Sequence, residues 1–370
     1  MILLDEKRVL KYLSAVKEMS FTHKFYDVHV HPYEVVFDKF IYPYGSNKSG
    51  VLSLNKDGYS IPKTSEIVLD GLMNKVKTAD ITSLKKITMM RLRYIYGHIG
   101  GKVFSDHMEL SGINKVLLLP VASSHGEVEE KMIMVRSLYS DNNKFWVAGS
   151  VPNTIRNDEI CNYVMRMRRD FNIKAIKVHP IITGINLDSE KGKDRLLYIL
   201  DACGNNHLPL VLHCGDRSDI YEYERGGYAL IENIKDIAWG ISRSPVVIAH
   251  AGLYQCDNFE IQDKVLSVLD NMTSQHDNLY VDISGIGFKS LRKVLTGIDI
   301  DRILFGSDAL YELQWKKAVT LMYALNDLKM CTEDWYVRIA SINPSRIIFK
   351  EDSASDSSFK TTDCGIRVNN

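Results

Sequence analysis

The sequence predicts a (β/α)8 barrel, or TIM barrel, with an N-terminal helix and a long insertion after the first strand. Eight short apolar runs alternate along the chain with amphipathic stretches of helical length. Most of these runs are continuously apolar, so each is expected to be buried on both faces, as in a parallel sheet covered by helices. Eight consecutive strand and helix units predict a closed barrel.

The chain begins with an amphipathic segment. From Leu3 to Met19, apolar residues recur at helical spacing, which predicts a helix packed outside the barrel. The first strand is expected at about Phe25 to His31, and a polar insertion follows over about residues 37–100. Turn and helix signals within it stand at Gly45–Gly50, Asn55–Gly58, Leu72–Val76 and Ile81–Tyr94. An excursion of this length is typical of a lid or a subunit contact.

From Gly101 onward the pattern becomes regular. The remaining strands are predicted at Lys115–Pro120, Phe145–Val151, Ala175–His179, Pro209–His213, Val246–His250, Leu279–Ile283 and Ile303–Ser307. Helices are predicted between them at Val128–Ser140, Ile160–Asp170, Lys193–Gly204, Ile231–Trp239, Asp263–Gln275 and Leu291–Leu295. A terminal helix is expected at Trp335–Phe349, with the Asn343-Pro344 turn inside it. Residues 1–349 are therefore expected to form one domain, and the polar residues 350–370 a mobile tail.

Composition excludes several classes of protein. The chain has 370 residues, of which 45% are hydrophobic and 25% charged, as in a globular protein with a large core. Lys plus Arg and Asp plus Glu each number 46, so no net charge attracts the protein to nucleic acid or to an anionic membrane. No apolar run approaches the roughly 18 residues of a membrane span. We therefore expect a small-molecule substrate, with no nucleic-acid or membrane partner.

The cysteines and the N-terminus indicate a reducing compartment. Six cysteines are scattered without a C-x-x-C pair, so neither a disulfide framework nor a structural zinc ribbon is expected. The N-terminus has no apolar core of signal-peptide length, and a cytoplasmic location fits both observations. A homodimer formed through the insertion is a further hypothesis, which a monomeric sedimentation profile would contradict.

Two histidines share one face of the first predicted strand. His29 and His31 are separated by one residue, and side chains alternate along a strand. At the end of a strand, two imidazoles on one face form half of a site for a divalent cation. Two ordinary histidines in a half-buried strand explain an isolated H-x-H equally well, so the interpretation depends on the other strands.

Polar side chains also end four of the later apolar runs. His179 ends the fourth run, His213 the fifth and His250 the sixth, while Asp308 follows the eighth. In a (β/α)8 barrel the active site is built at the carboxyl ends of the strands. Each residue alone has an ordinary explanation, as a structural histidine or as an aspartate that caps a helix. Their recurrence at the strand ends predicts a metal-binding or acid/base site.

Together these motifs resemble the amidohydrolase superfamily of metal-dependent barrels. The resemblance is carried by His29-Val30-His31, His213, His250-Ala251-Gly252 and Gly306-Ser307-Asp308. The run Ile176-Lys177-Val178-His179-Pro180 and the late Asn343-Pro344 are similar to its amidohydrolase-related branch, which contains hydrolases and aminocarboxymuconate-semialdehyde-type decarboxylases. The match spans the first strand and then about Gly101 to Phe349. It covers neither the insertion nor the tail.

The resemblance implies that His29, His31, His213 and Asp308 bind one divalent cation. Zn2+ is the expected metal, with Mn2+ and Fe2+ as alternatives, because neutral imidazoles and a carboxylate suit zinc. A water on an open coordination position would be activated as the nucleophile, with its pKa lowered to about 7. Asp308 would take the proton from that water, and His250 would orient the water or stabilise negative charge on the substrate.

Lys177 on the fourth strand has two interpretations. In binuclear members of the superfamily, a lysine at this strand end is carbamylated and bridges two metals. In the single-metal branch, which the K-x-H-P motif resembles, a lysine is better placed to bind a substrate carboxylate. His179 on the same strand face and Arg217 in the loop after the fifth strand are the other candidate substrate-binding residues. A solvated loop charge explains Arg217 equally well.

The resulting prediction is a metal-dependent hydrolase that uses metal-bound hydroxide on a C–O or C–N bond of a small carboxylated substrate. A decarboxylase of the same family is the first alternative, because the same site can bind a carboxylate and release CO2. A catalytically silent barrel, retained for binding, is the second alternative. The complete set of expected site residues argues against it.

Overall fold

The structure is a computed structural model, and its described residues cover most of the chain outside the insertion and the tail. They are residues 3–4, 6–31, 53–55, 58–60, 67–68, 105, 108–121, 125–139, 143–215, 227–256, 258–309 and 312–351. Most of the predicted insertion, including the helical patterns at Leu72–Val76 and Ile81–Tyr94, therefore lies outside them. The same holds for residues 352–370.

Eight parallel strands form the central sheet. They are β1 (Phe25–Val30), β2 (Ile113–Leu118), β3 (Phe145–Ser150), β4 (Ala175–Val178), β5 (Leu210–Leu212), β6 (Val246–Ile248), β7 (Leu279–Asp282) and β8 (Ile303–Leu304). Each pairs with its neighbour in chain order. The ring closes where Val28 donates its N–H to the Phe305 carbonyl (3.0 Å) and Asp308 donates its N–H to the His29 carbonyl (2.9 Å). The predicted (β/α)8 barrel is confirmed.

Helices surround this barrel on the outside. They are α1 (Glu6–Met19), α2 (His125–Leu138), α3 (Ile160–Phe171), α4 (Glu190–Asn205), α5 (Phe259–Gln275), α6 (Phe288–Gly297), α7 (Gln314–Asp327) and α8 (Thr332–Val337), with a short helix at Pro180–Thr183. Side-chain caps begin two of them: Ser189 Oγ accepts from the Gly192 N–H at 3.1 Å, and Asn258 Oδ1 accepts from the Glu260 N–H at 2.9 Å. Among the described residues, no helix is both long and apolar enough to cross a membrane.

The predicted helix at Ile231–Trp239 is wrong. The structure has two 3-10 turns there, Ile231–Asn233 and Trp239–Ile241. The buried residues Ile231, Ile234 and Ile237 recur every third position, which matches the three residues per turn of a 3-10 helix better than the 3.6 of an α-helix. The three isoleucines still pack against the core, but without a continuous helix.

Two predicted boundaries also change at the ends of the chain. Leu3–Leu4 is a short strand paired antiparallel with Ile67–Val68, so the first helix begins only at Glu6. At the other end, α8 passes into two short π-helical segments, Arg338–Ile342 and Ser345–Phe349. Pro344 stands between these segments, where it lacks the N–H that a regular helix needs. The second of these segments packs its Phe349 ring on Tyr26 of β1.

The barrel interior is layered along its axis. In the middle layer, small and branched apolar side chains from successive strands meet, namely Val28, Leu117, Ala148, Ala175, Val211, Val247 and Leu304. At the carboxyl ends of the strands this filling gives way to buried polar groups, which include Lys177, His213 and Asp282. Such a change in character marks the end of the barrel at which the site is built.

Candidate metal centre

Three ligand atoms converge where β1 meets β8. His29 Nε2 lies 3.1 Å from His31 Nε2, and each of these nitrogens lies 3.7 Å from Asp308 Oδ1. All three residues are buried, and their ligand atoms lie within 4.8 Å of one another. Donors that share an ion at about 2.0–2.2 Å lie at most about 4.4 Å apart, so this spacing fits a single cation.

An irregular stretch of β1 and a strained residue after β8 bring these groups together. The register of β1 against β2 shifts between Asp27 and Val30, which lets both Val28 and His29 reach the barrel interior. Asp308 has a φ of 62°, in the left-handed region that few residues other than glycine adopt. Its N–H donates to the His29 carbonyl where the barrel closes, and this hydrogen bond holds the strained conformation in place.

Hydrogen bonds leave both imidazoles in a ligand-competent tautomer. His29 donates its Nδ1–H to Asp282 Oδ2 at 2.8 Å, and His31 donates its Nδ1–H to the Leu119 carbonyl at 2.7 Å. Because both partners only accept, the Nε2 atoms keep their lone pairs. Two lone pairs at 3.1 Å repel each other unless a cation lies between them. The residues present therefore fit a bound metal.

The protonation states of the two imidazoles agree with this arrangement. Burial, with a smaller contribution from the charge of Lys177, lowers the pKa of His29 well below its ordinary value and that of His31 to about 3. Both imidazoles are therefore neutral, which is the form that binds a cation. Burial raises the pKa of Asp308 well above its ordinary range, and the charge of Lys177 opposes this change.

A second pair of histidines adjoins these ligands. His250 donates its Nδ1–H to the Ser284 carbonyl at 2.9 Å, so its Nε2 accepts from His213 Nδ1–H at 3.0 Å. His213 is therefore left with a lone pair on Nε2. This atom is buried and has no hydrogen-bond partner among the described residues. A buried nitrogen in that state is suited to a metal ligand, although His213 is not one of the three residues whose donor atoms lie within 4.8 Å.

Lys177 brings a buried ammonium to the same place. Its side chain is fully buried, and Nζ lies 3.3 Å from His29 Nε2. Burial lowers the pKa of Lys177 to about 8, while the charges of Asp282 and Asp308 act in the opposite direction. A cation bound to His29 Nε2 would use the lone pair that Lys177 now contacts. Lys177 would then be available to another acceptor.

Comparison with known proteins identifies the family. The family model described as Amidohydrolase matches residues 143–349, which is more than half of the chain. The chain belongs to the amidohydrolase family. The match begins just before β3, so His29 and His31 lie outside it, and the barrel geometry joins them to Asp308 and His213. No curated protein matches the chain.

Solved structures support the fold of this amidohydrolase. A TIM-barrel protein from Bordetella bronchiseptica is 13% identical, with a TM-score of 0.51 over 88% of this chain and 99% of its own. The 5-carboxyvanillate decarboxylase LigW from Sphingomonas paucimobilis is also 13% identical, with a TM-score of 0.52 over the same shares of the two chains. At this identity the likeness shows a shared barrel.

The structure places the predicted site residues of this amidohydrolase in three groups. His29, His31 and Asp308 converge on one point, whereas His213 and His250 form a hydrogen-bonded pair beside them. Lys177 lies against His29, and His179 stacks on His213 with ring centroids 3.8 Å apart. Arg217 lies outside the described residues.

Sequence reasoning missed four residues of the site. They are Tyr254, Asp282, Ser284 and Gly285. Asp282 had a signal, since it is an acid within an otherwise apolar strand run. Tyr254 is half-buried, with its ring 4.6 Å from that of His250, and no local pattern marks it. Gly285 has a φ of 59°, and a Cβ there would lie 2.8 Å from Asp308 Oδ2.

Proposed function

We propose that the chain is a metal-dependent hydrolase that uses water to cleave a C–O or C–N bond of a small carboxylated substrate. The proposal depends on one observation above all. His29 Nε2 and His31 Nε2, neither of which carries a proton, lie 3.1 Å apart and 3.7 Å from a buried aspartate oxygen. Imidazoles and a carboxylate converging in this way are typical ligands of catalytic zinc sites.

In this proposal His29, His31, Asp308 and His213 hold one divalent cation. Zn2+ is the first choice and Mn2+ or Fe2+ are the alternatives, because the donor set contains imidazoles and one carboxylate without a thiolate. The bound cation would lower the pKa of a water molecule and polarise the bond under attack. His213 is included because its buried Nε2 has no hydrogen-bond partner among the described residues.

Two residues would handle protons and charge. Asp308 would accept the proton of the attacking water at a carboxylate oxygen. His250 stands beside the ligands, with its Nδ1–H fixed on the Ser284 carbonyl. Its Nε2, which now accepts from His213 Nδ1–H, could instead accept from the attacking water and orient it.

Lys177 would recognise the carboxylate of the substrate. Its ammonium is fully buried, and its one hydrogen-bond contact among the described residues is His29 Nε2. A buried ammonium is costly without an anion, so a substrate carboxylate would relieve that cost when it binds. His179, stacked on His213, would line the same pocket, and Arg217 is proposed as a second anion-binding residue.

A decarboxylase is the second candidate. Lys177 and His250 lie beside the same ligand cluster, and the Lys177 ammonium could deliver a proton to a substrate held there. The carbon–carboxylate bond would break with loss of CO2, and the carbon would take up a proton. The likeness to 5-carboxyvanillate decarboxylase LigW concerns the fold, so it does not choose between the two reactions.

Metal content per chain tests the site. Elemental analysis would compare the wild type with Asp308→Ala and Lys177→Ala, and Asp270→Ala, an exposed aspartate on α5, is the control. We expect about one zinc per chain, lost in Asp308→Ala and kept in the other two. Two metals that fall to one or none in Lys177→Ala would instead indicate a bridged binuclear centre. A protein that binds no added zinc would support the catalytically silent barrel.

Product analysis separates the two reactions. The zinc-loaded protein would be assayed in 18O-labelled water against carboxylated esters, lactones and amides, and against aromatic and unsaturated carboxylic acids. Hydrolysis places one labelled oxygen in the product and releases no CO2. Release of CO2, with no labelled oxygen in the other product, would contradict the hydrolase proposal and support the decarboxylase.

A further inference from the structure

One carboxylate at the end of β7 contacts histidines that stand on two other strands. Asp282 is fully buried. Its Oδ2 accepts from His29 Nδ1–H at 2.8 Å, and its Oδ1 accepts from the backbone N–H of His250 at 3.0 Å. A single side chain therefore joins a proposed metal ligand to the proposed proton carrier.

Ser284 completes this cluster. Its N–H donates to Asp282 Oδ1 at 3.0 Å, and its hydroxyl donates to the same oxygen. The Ser284 Oγ also lies 3.0 Å from His29 Nδ1 and 2.9 Å from His250 Nδ1. All of these contacts are internal and buried, so they fix orientation and leave the Asp282 carboxylate little freedom.

A second metal site is the rival explanation for this cluster. The ligand atoms of His29, His250 and Asp282 lie within 4.8 Å of one another. However, the Nδ1 of each histidine is within hydrogen-bond distance of an oxygen that only accepts, which requires a proton on that nitrogen. A protonated nitrogen cannot bind a cation, so the contacts favour a hydrogen-bonded cluster.

We propose that Asp282 is a positioning residue that sets the tautomer of His29 and the backbone conformation of His250. This inference rests on the proposed function, in which His29 holds the metal. A carboxylate only accepts, so it keeps the His29 proton on Nδ1 and the lone pair on Nε2. His250 has a φ of 58°, a strained conformation that its N–H bond to Asp282 holds in place.

The isosteric variant Asp282→Asn separates these functions from simple packing. Its single amide oxygen is needed by the N–H groups of His250 and Ser284, so its NH2 group would face His29 Nδ1. That nitrogen must then accept, and the His29 proton moves to Nε2. Because a protonated Nε2 cannot bind a metal, the zinc affinity should fall by about 10- to 100-fold.

Asp27→Asn is the matched control. Asp27 is also a fully buried aspartate, two residues before His29. Its carboxylate accepts from the His29 N–H at 3.2 Å, and its other partners are Ser307 and Gln314. Among these partners there is no imidazole nitrogen, so the substitution should disturb local packing without changing a tautomer.

The experiment measures tautomer and affinity on the same proteins. Long-range 1H–15N correlation spectra of the metal-free proteins report which nitrogen of His29 is protonated, with a His29→Gln variant for assignment. A competing chromophoric chelator gives the zinc dissociation constant. We expect Nδ1–H in the wild type and Asp27→Asn, Nε2–H in Asp282→Asn, and weakened zinc binding in Asp282→Asn alone.

Two results would overturn the positioning role. One is a wild-type His29 that carries its proton on Nε2, which can be read even if Asp282→Asn does not fold. The other is an Asp282→Asn protein with the wild-type tautomer and wild-type zinc affinity. A wild type that has the expected tautomer but binds no zinc would contradict the proposed function and leave the tautomer assignment standing.

Discussion

The two ends of the barrel use the same inward-facing strand positions for opposite purposes. At the carboxyl ends, the positions hold buried histidines, aspartates and a lysine. At the amino ends, three strands hold aromatic rings at these positions, namely Tyr26, Trp146 and Tyr280. The difference is visible along single strands: β1 places Tyr26 at one end and His29 at the other, and β7 places Tyr280 and then Asp282.

The helical turn at Ser345–Phe349 closes the amino end. Phe349 is buried there, stacked on Tyr26 with ring centroids 4.8 Å apart and tilted against Trp146 at 5.0 Å. Beyond it, Glu351 accepts from the Tyr26 hydroxyl at 2.8 Å and from the ammonium of Lys115. This end therefore combines apolar burial with satisfied polar groups, which is an arrangement that stabilises a fold.

The carboxyl end carries a desolvation cost that the amino end does not. Five buried histidines and Lys177 are held out of water there. The comparison indicates that this barrel places its reactive groups at the carboxyl end and its stabilising contacts at the amino end, as (β/α)8 barrels generally do.

Removing the aromatic closure should give the largest loss of stability. We expect Phe349→Ala to lower the free energy of unfolding by about 3–5 kcal/mol, the usual cost of truncating a buried phenylalanine. The zinc content of the folded protein should stay at the wild-type value, because no proposed ligand contacts this ring. Urea unfolding and elemental analysis measure the two quantities.

Phe21→Ala is the control for this substitution. Phe21 is 77% exposed, so its truncation should change the unfolding free energy by less than about 0.5 kcal/mol. If Phe349→Ala also lost its zinc while folded, the two ends would be coupled and the separation along the axis would be wrong.

A methyl group at Gly285 should damage the carboxyl end specifically. The φ of 59° there disfavours any side chain, and the new Cβ would lie 2.8 Å from Asp308 Oδ2 and 3.1 Å from His250 Nδ1. We expect Gly285→Ala to lower stability by about 1–2 kcal/mol through backbone strain and to weaken zinc binding by displacing Asp308. Zinc titration and thermal unfolding test both effects.

Gly297→Ala provides the comparison within the same part of the chain. Gly297 is the last residue of α6, and a Cβ there would meet nothing within 4 Å. The variant should be neutral or more stable by up to about 1 kcal/mol, with unchanged zinc binding. Equal behaviour of the two glycine variants would show that close packing around Asp308 is unimportant.

The sequence predicted the carboxyl end better than the amino end, for a physical reason. His29, His213 and Asp308 follow apolar strand runs, and the barrel architecture brings all strand ends to one place. No comparable rule predicts the position of Phe349, which in the sequence is only one more apolar residue of a predicted terminal helix. Its position depends on where the chain travels after Pro344, and that is decided by contacts with Tyr26, far away in sequence.

Within the site, direct ligands were easier to predict than the groups that orient them. A metal ligand must be one of a few residue types at a strand end, whereas the group that holds it can be a carbonyl such as that of Leu119. Asp282 could have been found, since a buried acid in an apolar strand needs donors. The identity of those donors required the three-dimensional structure.

The smallest expected effect lies at the polar edge of the amino end. Burial alone would raise the pKa of Glu351, but hydrogen bonds from Lys115, Tyr26 and Lys24 outweigh it, so the pKa lies below its ordinary value of 4.5. A carboxyl group whose pKa is lower in the folded state stabilises the protein above the unfolded-state pKa. That contribution is lost as the pH falls through the lower, folded-state value.

Glu351→Gln should therefore be less stable than the wild type at pH 7, and the difference should shrink as the pH falls below about 4.5. The side chain is 26% exposed, so the difference at pH 7 should be below about 1 kcal/mol. Urea unfolding of both proteins across this range measures it, with the exposed helix residue variant Glu333→Gln as the control. A stability difference that does not depend on pH would mean that the uncharged hydrogen bonds at Glu351, and not its carboxylate charge, hold the amino end closed.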